Sequence, residues 1–201
     1  TLIIHDIYFT RAFGTNENSL KRIIGKFYRR FTTKLSIYRS FQIITVSDFT
    51  ANEISHFYKL KRDKLLVVGN KLRYPCENLK KTNKDIILVT GSDIQKNVLW
   101  ALNTLKNSTL WHKVSKINIV GINSYKEINF KKHNKIKYLG YINNKELENL
   151  YKSSKLLLMP SIHESFGVPI IEALSKSCSV CATNAGAFPE IGYDLAFYFN
   201  L

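Results

Sequence analysis

A chain of 201 residues with an apolar fraction of 45% and an aromatic fraction of 12% can bury a proper core, which excludes an intrinsically disordered segment. No run approaches the roughly 18 apolar residues of a membrane-spanning helix, and the opening lacks the basic–apolar–small order of a signal peptide. The formal net charge of +15 favours anionic partners (nucleic acid, an acidic membrane surface or phosphorylated small molecules) and carries no information about the fold.

The chain opens at Thr1 without an initiator Met and enters a strand-like Leu2–His5 almost at once, so an incomplete polypeptide is expected. A helix-like segment runs from about Ser19 to Ser36. A strand at Gln42–Val46 follows, then a helix from about Thr50 to Tyr58 with Ser47 in its cap region, and a short strand at Leu65–Val68. Residues 74–84 are polar and lack apolar periodicity, which predicts a linker. Beyond it, strands are expected at Ile86–Thr90, Ile117–Val120, Lys135–Leu139, Lys155–Met159 and Ser179–Thr183. Helices are expected at about Asn97–Asn107, Lys145–Ser153 and Ile170–Ser177. Strands alternating with helices imply parallel sheets covered on both faces. The expected fold class is therefore α/β, with two doubly wound units joined at the linker.

From Asn18 to Ser47 the chain carries seven basic residues (Lys21, Arg22, Lys26, Arg29, Arg30, Lys34 and Arg39) and no acidic one. Leu20, Ile23, Ile24, Phe27, Phe31 and Leu35 recur at helical spacing and form one apolar stripe. Two readings stand side by side: a cationic helix lying on an anionic membrane through residues 19–39, or a surface helix whose stripe faces the core. Nucleic acid is not expected as a partner, because no DNA- or RNA-binding motif accompanies these charges. Cys76, Cys178 and Cys181 point to a reducing compartment. The C-x-x-C at 178–181 lacks the second pair that zinc would need and falls in an expected strand, so both thiols are expected to be packing residues and no metal site is expected.

The stretch His163-Glu164-Ser165-Phe166-Gly167-Val168-Pro169-Ile170-Ile171-Glu172-Ala173 places two carboxylates eight positions apart. With Lys155–Met159 as a buried strand and Pro169 in the first turn of a helix, Glu164 falls on the loop leaving the strand and Glu172 in that helix's first turn. Open α/β sheets bind ligands at such a place, and acceptor-only carboxylates there can grip the hydroxyls of a sugar or ribose. A plain strand–loop–helix corner gives the same spacing.

The stretch resembles the E-x-F-G-x-P-x-x-E-A signature of the retaining nucleotide-sugar glycosyltransferases of family 4. The resemblance extends to Tyr138-Leu139-Gly140 followed by Glu146-Leu147-Glu148-Asn149-Leu150-Tyr151, to Met159-Pro160-Ser161, and to Gly186-Ala187-Phe188-Pro189-Glu190. Thr90-Gly91-Ser92-Asp93-Ile94-Gln95-Lys96-Asn97 is similar to the family's phosphate-binding loop, and Ile119-Val120-Gly121 to its next strand end. In the first section His5-Asp6 resembles a family H-D pair and Ile43–Ser47 a family strand.

The resemblance implies a GT-B fold of two Rossmann-like units, the first incomplete. Residues 1–74 would be the C-terminal half of the acceptor-side domain, 75–84 the linker, and 85–201 the nucleotide-sugar-binding domain without its last helices. It implies a retaining transfer of a hexosyl group, of mannosyl or rhamnosyl type, from a nucleoside diphosphate sugar to a surface-glycan or lipid-linked acceptor in polysaccharide or lipopolysaccharide biosynthesis. The expected place is the cytoplasm, peripheral to the inner face of the plasma membrane, with no cofactor or metal.

In site terms, the resemblance gives Lys96, Glu164 and His5 the catalytic positions. Gly91, Lys96, Asn97, Glu164, Ser165, Phe166, Gly167 and Glu172 would hold the nucleotide sugar. Glu172 would take the ribose hydroxyls, Glu164 with the amides of Phe166 and Gly167 the donor sugar, and Lys96 the diphosphate, while His5 would contact the sugar from the first domain. Ser92 and Gln95 occupy the candidate positions of a usual family Arg, Ser177 and Ser179 those of a Gly and a Pro, and Gly69-Asn70 replaces an N-G turn. A remnant that binds nucleotide or membrane without transfer, and a sugar-nucleotide epimerase of the same architecture, remain as alternatives.

Overall fold

The computed structural model describes residues 1–7, 20–81, 85–91 and 93–201, with the backbone alone for residues 20–23 and 26. Ser19, Ser92, residues 82–84 of the expected linker, and the Leu20 and Ile23 side chains of the stripe lie outside what is described. The chain forms two compact units, Thr1–Asn70 and Lys71–Leu201.

In the first unit, β1 (Leu2–Ile3), β2 (Ile43–Thr45) and β3 (Leu65–Val67) form a parallel sheet in that order. Helix α1 (Leu20–Arg39) connects β1 to β2, and α2 (Asp48–Tyr58) connects β2 to β3. Ser47 stops β2 and starts α2: its backbone is extended and its hydroxyl accepts from the Thr50 amide at 3.1 Å. Ile4, Ile7, Ile37, Ile43, Ala51, Ile54 and Leu65 make the core.

Helix α1 corrects one expectation. Its stripe does not face this core: Ile24, Phe27, Phe31 and Leu35 are 59%, 68%, 68% and 42% exposed. Ile37, fully buried, docks the helix. The contact lies on a neighbouring face, where residues 30 and 33 are half-buried and 37 is buried.

In the second unit β4 (Ile86–Val89), β5 (Ile117–Val120), β6 (Ile136–Gly140), β7 (Leu156–Met159), β8 (Ser179–Thr183) and β9 (Ala196–Phe199) form one parallel sheet ordered β6-β5-β4-β7-β8-β9. The helices are α3 (Val98–Asn107), α4 (Leu110–Lys113), α5 (Asn144–Ser153), α6 (Val168–Ser175) and α7 (Phe188–Gly192). Both faces of the sheet are covered. Ile86 and Leu88 of β4 point into a cluster with Val98, Leu102, Trp111, Ile117 and Ile119, while Ile87 points into another with Tyr151, Leu157, Ile170 and Val180. That accounts for the unbroken apolar runs, which alternate between two cores instead of between core and water. Asn143 and Glu146 start α5 with a capping box, each side chain meeting the other's amide at 3.0 Å.

Residues 71–81, mostly expected as linker, belong to the second unit and are strapped along it. The Glu77 amide donates to the Ser175 carbonyl at 2.7 Å, and the Leu79 amide to the Ser177 hydroxyl at 3.0 Å. Lys81 caps the end of α5 through the Tyr151 and Lys152 carbonyls. Lys176, with no exposed side-chain surface, meets Glu148 at 2.9 Å and also pairs with Glu77, and Lys152 closes the network against the same two carboxylates. Burial alone would lower the Lys176 amine; the hydrogen bonds it donates to Glu77 and Glu148 outweigh that and raise the group above its ordinary value. Polar composition predicts a linker only when the charges face water, and here they compensate one another against α5 and α6.

Ser177 shows how a departure from the family pattern is accommodated. It adopts a left-handed φ of 54°, a conformation in which glycine is unstrained, and its hydroxyl both accepts from Leu79 and donates to the Glu77 carbonyl. Cys178 is buried and its thiol is pushed up to about 11 by burial, so it is a neutral packing group; Cys181 is half-buried and raised for the same reason.

Candidate functional site

The strand order reverses between β4 and β7, and the loops leaving those two strands diverge there to opposite sides of the sheet. Such a switch point is a ready-made crevice at the carboxyl ends of the strands. The β4 loop runs through Gly91 into a short turn, Ile94–Lys96, before α3; the β7 loop runs from Pro160 to Gly167 before α6. A backbone bond joins the two, from the Ile162 amide to the Gln95 carbonyl at 2.8 Å.

On this frame the ammonium of Lys96 donates to Glu164 Oε1 at 2.6 Å, with the side chains 23% and 18% exposed. Two residues 68 positions apart in sequence thus form a partly desolvated ion pair at the switch point. Asn97 takes a left-handed φ of 52° and ends the turn, so α3 starts at Val98 and not at Asn97 as expected. Gly91 looks onto open space, a Cβ built there meeting nothing within 4 Å. Gly91, Ile94, Asn97 and Trp100 line a cavity of about 450 Å³. Gly121, at the end of β5, has a φ of 94°, and a Cβ there would overlap the Thr90 carbonyl; it keeps the base of the Gly91 loop in place.

The β7 loop is fixed as tightly. Gly167 has a φ of 100° and presses on the Phe188 ring, where a Cβ would lie 2.8 Å from two ring carbons. Phe166 is buried, Ser165 half-buried. The Ala187 amide donates to the Glu164 carbonyl at 2.9 Å, and Gly186, φ 61°, passes so close to the Glu164 backbone that no side chain fits. The ends of β7 and β8 therefore hold Glu164 between them.

Glu172 departs from its expected place. Helix α6 begins at Val168, because Gly167 ends the loop two residues earlier than the sequence suggests, so Glu172 is the fifth helical residue and not in the first turn. It is 2% exposed. Oε2 accepts from the buried Tyr151 hydroxyl at 3.2 Å; Oε1 lies 3.5 Å from Arg73 Nε and, among the described residues, has no hydrogen-bond partner. Burial lifts this carboxyl above the ordinary carboxylate range, with Arg73 and the Tyr151 bond pulling it back. Burial pushes the Tyr151 phenol far up as well, which keeps it a donor. A buried acceptor oxygen left open costs on the order of 1–3 kcal/mol, a cost more readily explained at a ligand site than in a packed corner.

His5, the predicted site residue of the first unit, is exposed just after β1 and lines a cavity of about 300 Å³ with Asp6, Thr32, Thr33 and Ser36. Among the described residues no cluster of His, Cys, Asp and Glu could hold a metal ion. Arg73, Tyr151 and Gly186 were not anticipated as site residues. Tyr151 and Gly186 stand inside recognised motifs without a role, and nothing in a polar tract signals that Arg73 reaches a carboxylate 99 positions on.

Residues 70–195 match the family described as Glycosyl transferases group 1. The O-antigen chain mannosyltransferase RfbU of Salmonella typhimurium is 28% identical over 211 aligned residues, covering 100% of this chain and 56% of the relative. The chain thus spans about half the length of that curated relative. Among solved structures, sucrose-phosphate synthase from Thermosynechococcus elongatus superposes with a TM-score of 0.72 at 15% identity, over 98% of this chain and 54% of that one. An S. aureus TarM variant gives a TM-score of 0.69 at 15% identity, over 98% and 40%. At such identities the structural likeness speaks for the fold, which is GT-B.

Proposed function

The chain belongs to the group 1 glycosyl transferases, and on that premise we propose that its second unit binds a nucleoside diphosphate sugar at the β4–β7 switch point. The whole protein would then transfer the hexosyl group, of mannosyl or rhamnosyl type, to a surface-glycan or lipid-linked acceptor. The observation that carries this is the Lys96–Glu164 pair in the crevice. A diphosphate leaving group concentrates charge on phosphate oxygens, and a preplaced ammonium stabilises that charge as it grows. When the donor enters, Lys96 turns to the phosphates, and Glu164, relieved of its counter-ion, accepts from sugar hydroxyls. Glu172 accepts from the ribose. The mannosyltransferase name of the Salmonella relative and the UDP held in the TarM variant structure support a nucleotide-sugar donor of this kind. The reading includes retention of anomeric configuration, a metal-free reaction, and a cytoplasmic site in lipopolysaccharide or other polysaccharide synthesis.

Titration with GDP, UDP and dTDP tests the site. At least one should bind, and Glu172→Ala should weaken it by roughly tenfold or more, the loss of one or two hydrogen bonds to a charged acceptor. Equal affinity in wild type and variant would remove Glu172 from the ribose site.

The same reading gives α1 an anionic membrane surface as partner. Its support is the exposed apolar face at Ile24, Phe27, Phe31 and Leu35 on a segment with no acidic residue. No helix among the described residues is long and apolar enough to cross a membrane. Each well-placed Lys or Arg contributes about 1 kcal/mol on an anionic surface, so Arg29→Glu with Lys34→Glu should cut sedimentation with phosphatidylserine vesicles at least tenfold. Unchanged sedimentation, or equal binding to neutral vesicles, would remove the membrane from the list of partners.

A further inference from the structure

Among the described residues Glu172 has one oxygen committed and one without a hydrogen-bond partner, and an arginine lies 3.5 Å from the latter without hydrogen-bonding to it. Arg73 is anchored elsewhere: its Nη1 donates to Asn144 Oδ1 at 2.7 Å, and its guanidinium carbon lies 5.9 Å over the Tyr74 ring. Tyr74 is tied to the same place, its hydroxyl donating to the Asn144 carbonyl at 2.8 Å. The strap thus brings a cation to 3.5 Å from Glu172 Oε1 and fixes it on the first residue of α5. At that distance an arginine favours the ionised carboxylate by charge alone and leaves its lone pairs free.

We propose that Arg73 is a positioning residue for the nucleotide site: it keeps Glu172 an acceptor-only carboxylate in a buried place while leaving Oε1 for a hydroxyl of the ligand. The division of labour is geometric. Tyr151 fixes the rotamer of Glu172 through Oε2, and Arg73 supplies the compensating charge. The inference rests on the reading that Glu172 holds the ribose.

The other groups around Glu172 do not provide that charge. Tyr74 and Tyr151 are neutral phenols, both raised by burial. Lys176 and Lys152, farther along α6 and α5, are engaged with Glu77 and Glu148. Helix α7, packed on α6, brings an acidic residue, Glu190, and the turn after α6 brings the neutral thiol of Cys178.

The sign follows directly. Burial raises the Glu172 carboxyl and Arg73 lowers it, so removing Arg73 raises it further and protonates Glu172 at a higher pH. A protonated Glu172 has lost its acceptor-only character. Affinity for GDP, UDP or dTDP, whichever binds most tightly, should therefore fall on acidification, and the fall should begin at higher pH in Arg73→Met. The affinity ratio of wild type to Arg73→Met should grow by about tenfold between about pH 8 and about pH 5.5. Arg73→Lys should restore the wild-type profile in large part. Inorganic pyrophosphate, which has no ribose, should bind all three proteins alike.

An Arg73→Met profile parallel to wild type at all pH values, with Glu172→Ala still weakening the nucleotide, would overturn the proposal and leave the ribose reading standing. If Glu172→Ala has no effect, or no nucleotide binds wild type, the ribose reading fails and this one with it. A loss of pyrophosphate affinity equal to that of nucleotide in Arg73→Met would show a structural defect and also overturn it.

Discussion

Lys96→Ala is expected to weaken nucleoside diphosphate binding by about 30–100-fold while leaving the fold nearly as stable as before. The two halves of that expectation come from different physics. A hydrogen bond to a charged group contributes about 1.5–3 kcal/mol, and the diphosphate presents concentrated charge to a lysine that is 77% withdrawn from solvent, being 23% exposed. In the folded chain without ligand, the ammonium is paired with Glu164. A half-buried pair of this kind gains little net stability, since desolvation offsets much of the attraction. Removal should therefore change the midpoint of thermal unfolding by no more than a few degrees.

Glu164→Gln gives the complementary result. It should leave pyrophosphate binding intact or stronger, because Lys96 no longer has a competitor, yet lower the affinity for the sugar-bearing donor. Isothermal titration with pyrophosphate, nucleoside diphosphate and nucleoside diphosphate sugar separates these contributions. A Lys96→Ala protein that binds all three as wild type would make the pair a surface ion pair and nothing more. One that no longer folds would make it a structural brace.

Why Lys96 and Glu164 could be anticipated while their pairing could not is a matter of range. Each was legible locally: a loop, 90–97, similar to the family's phosphate-binding loop and ending in Lys-Asn, and a carboxylate after a buried strand. Their meeting depends on the order β6-β5-β4-β7-β8-β9, a long-range fact that alternation of strands and helices leaves open. The strands of the second unit were legible for a similar reason, since both faces are buried and their apolar runs are unbroken. Strand β9 was missed because it is an edge strand whose Phe197 is 72% exposed, and α4 and α7 because four and five residues carry too little periodicity. The strap was misread because its charges are internally compensated, and compensation by Lys152 and Lys176 is invisible to composition. Glu172 shifted by two helical positions for one local reason: Gly167, at a φ of 100°, releases the chain into the helix before Pro169.

Gly186→Ala is expected to do large damage through one added carbon, and to do it at the candidate site. At a φ of 61° an alanine is already strained, by on the order of 1 kcal/mol. Its methyl would overlap the Glu164 carbonyl oxygen, lie 2.7 Å from the Glu164 nitrogen and 3.2 Å from its carbonyl carbon. These are backbone atoms of a loop bonded on both sides, to Gln95 through Ile162 and to Ala187 through Glu164 itself, so neither partner can yield cheaply. Together the strain and the overlap should destabilise the protein by about 2–4 kcal/mol, lowering the unfolding midpoint by roughly 5–15 °C for a chain of this size. In whatever folded fraction remains, the loop must move, and Glu164 moves with it. Donor-sugar affinity should therefore fall at least tenfold even below the unfolding transition, since displacing one hydrogen-bonding carboxylate is worth about 1.4 kcal/mol or more. Gly91→Ala is the control, because its methyl meets no protein atom within 4 Å. It should unfold like wild type and lose affinity only for phosphate-bearing ligands, which approach that loop closely. Circular-dichroism melting and donor titration on both variants read the two effects independently. If Gly186→Ala melts and binds as wild type does, the β8 loop does not hold Glu164, and the geometry that makes Glu164 a donor ligand loses its support.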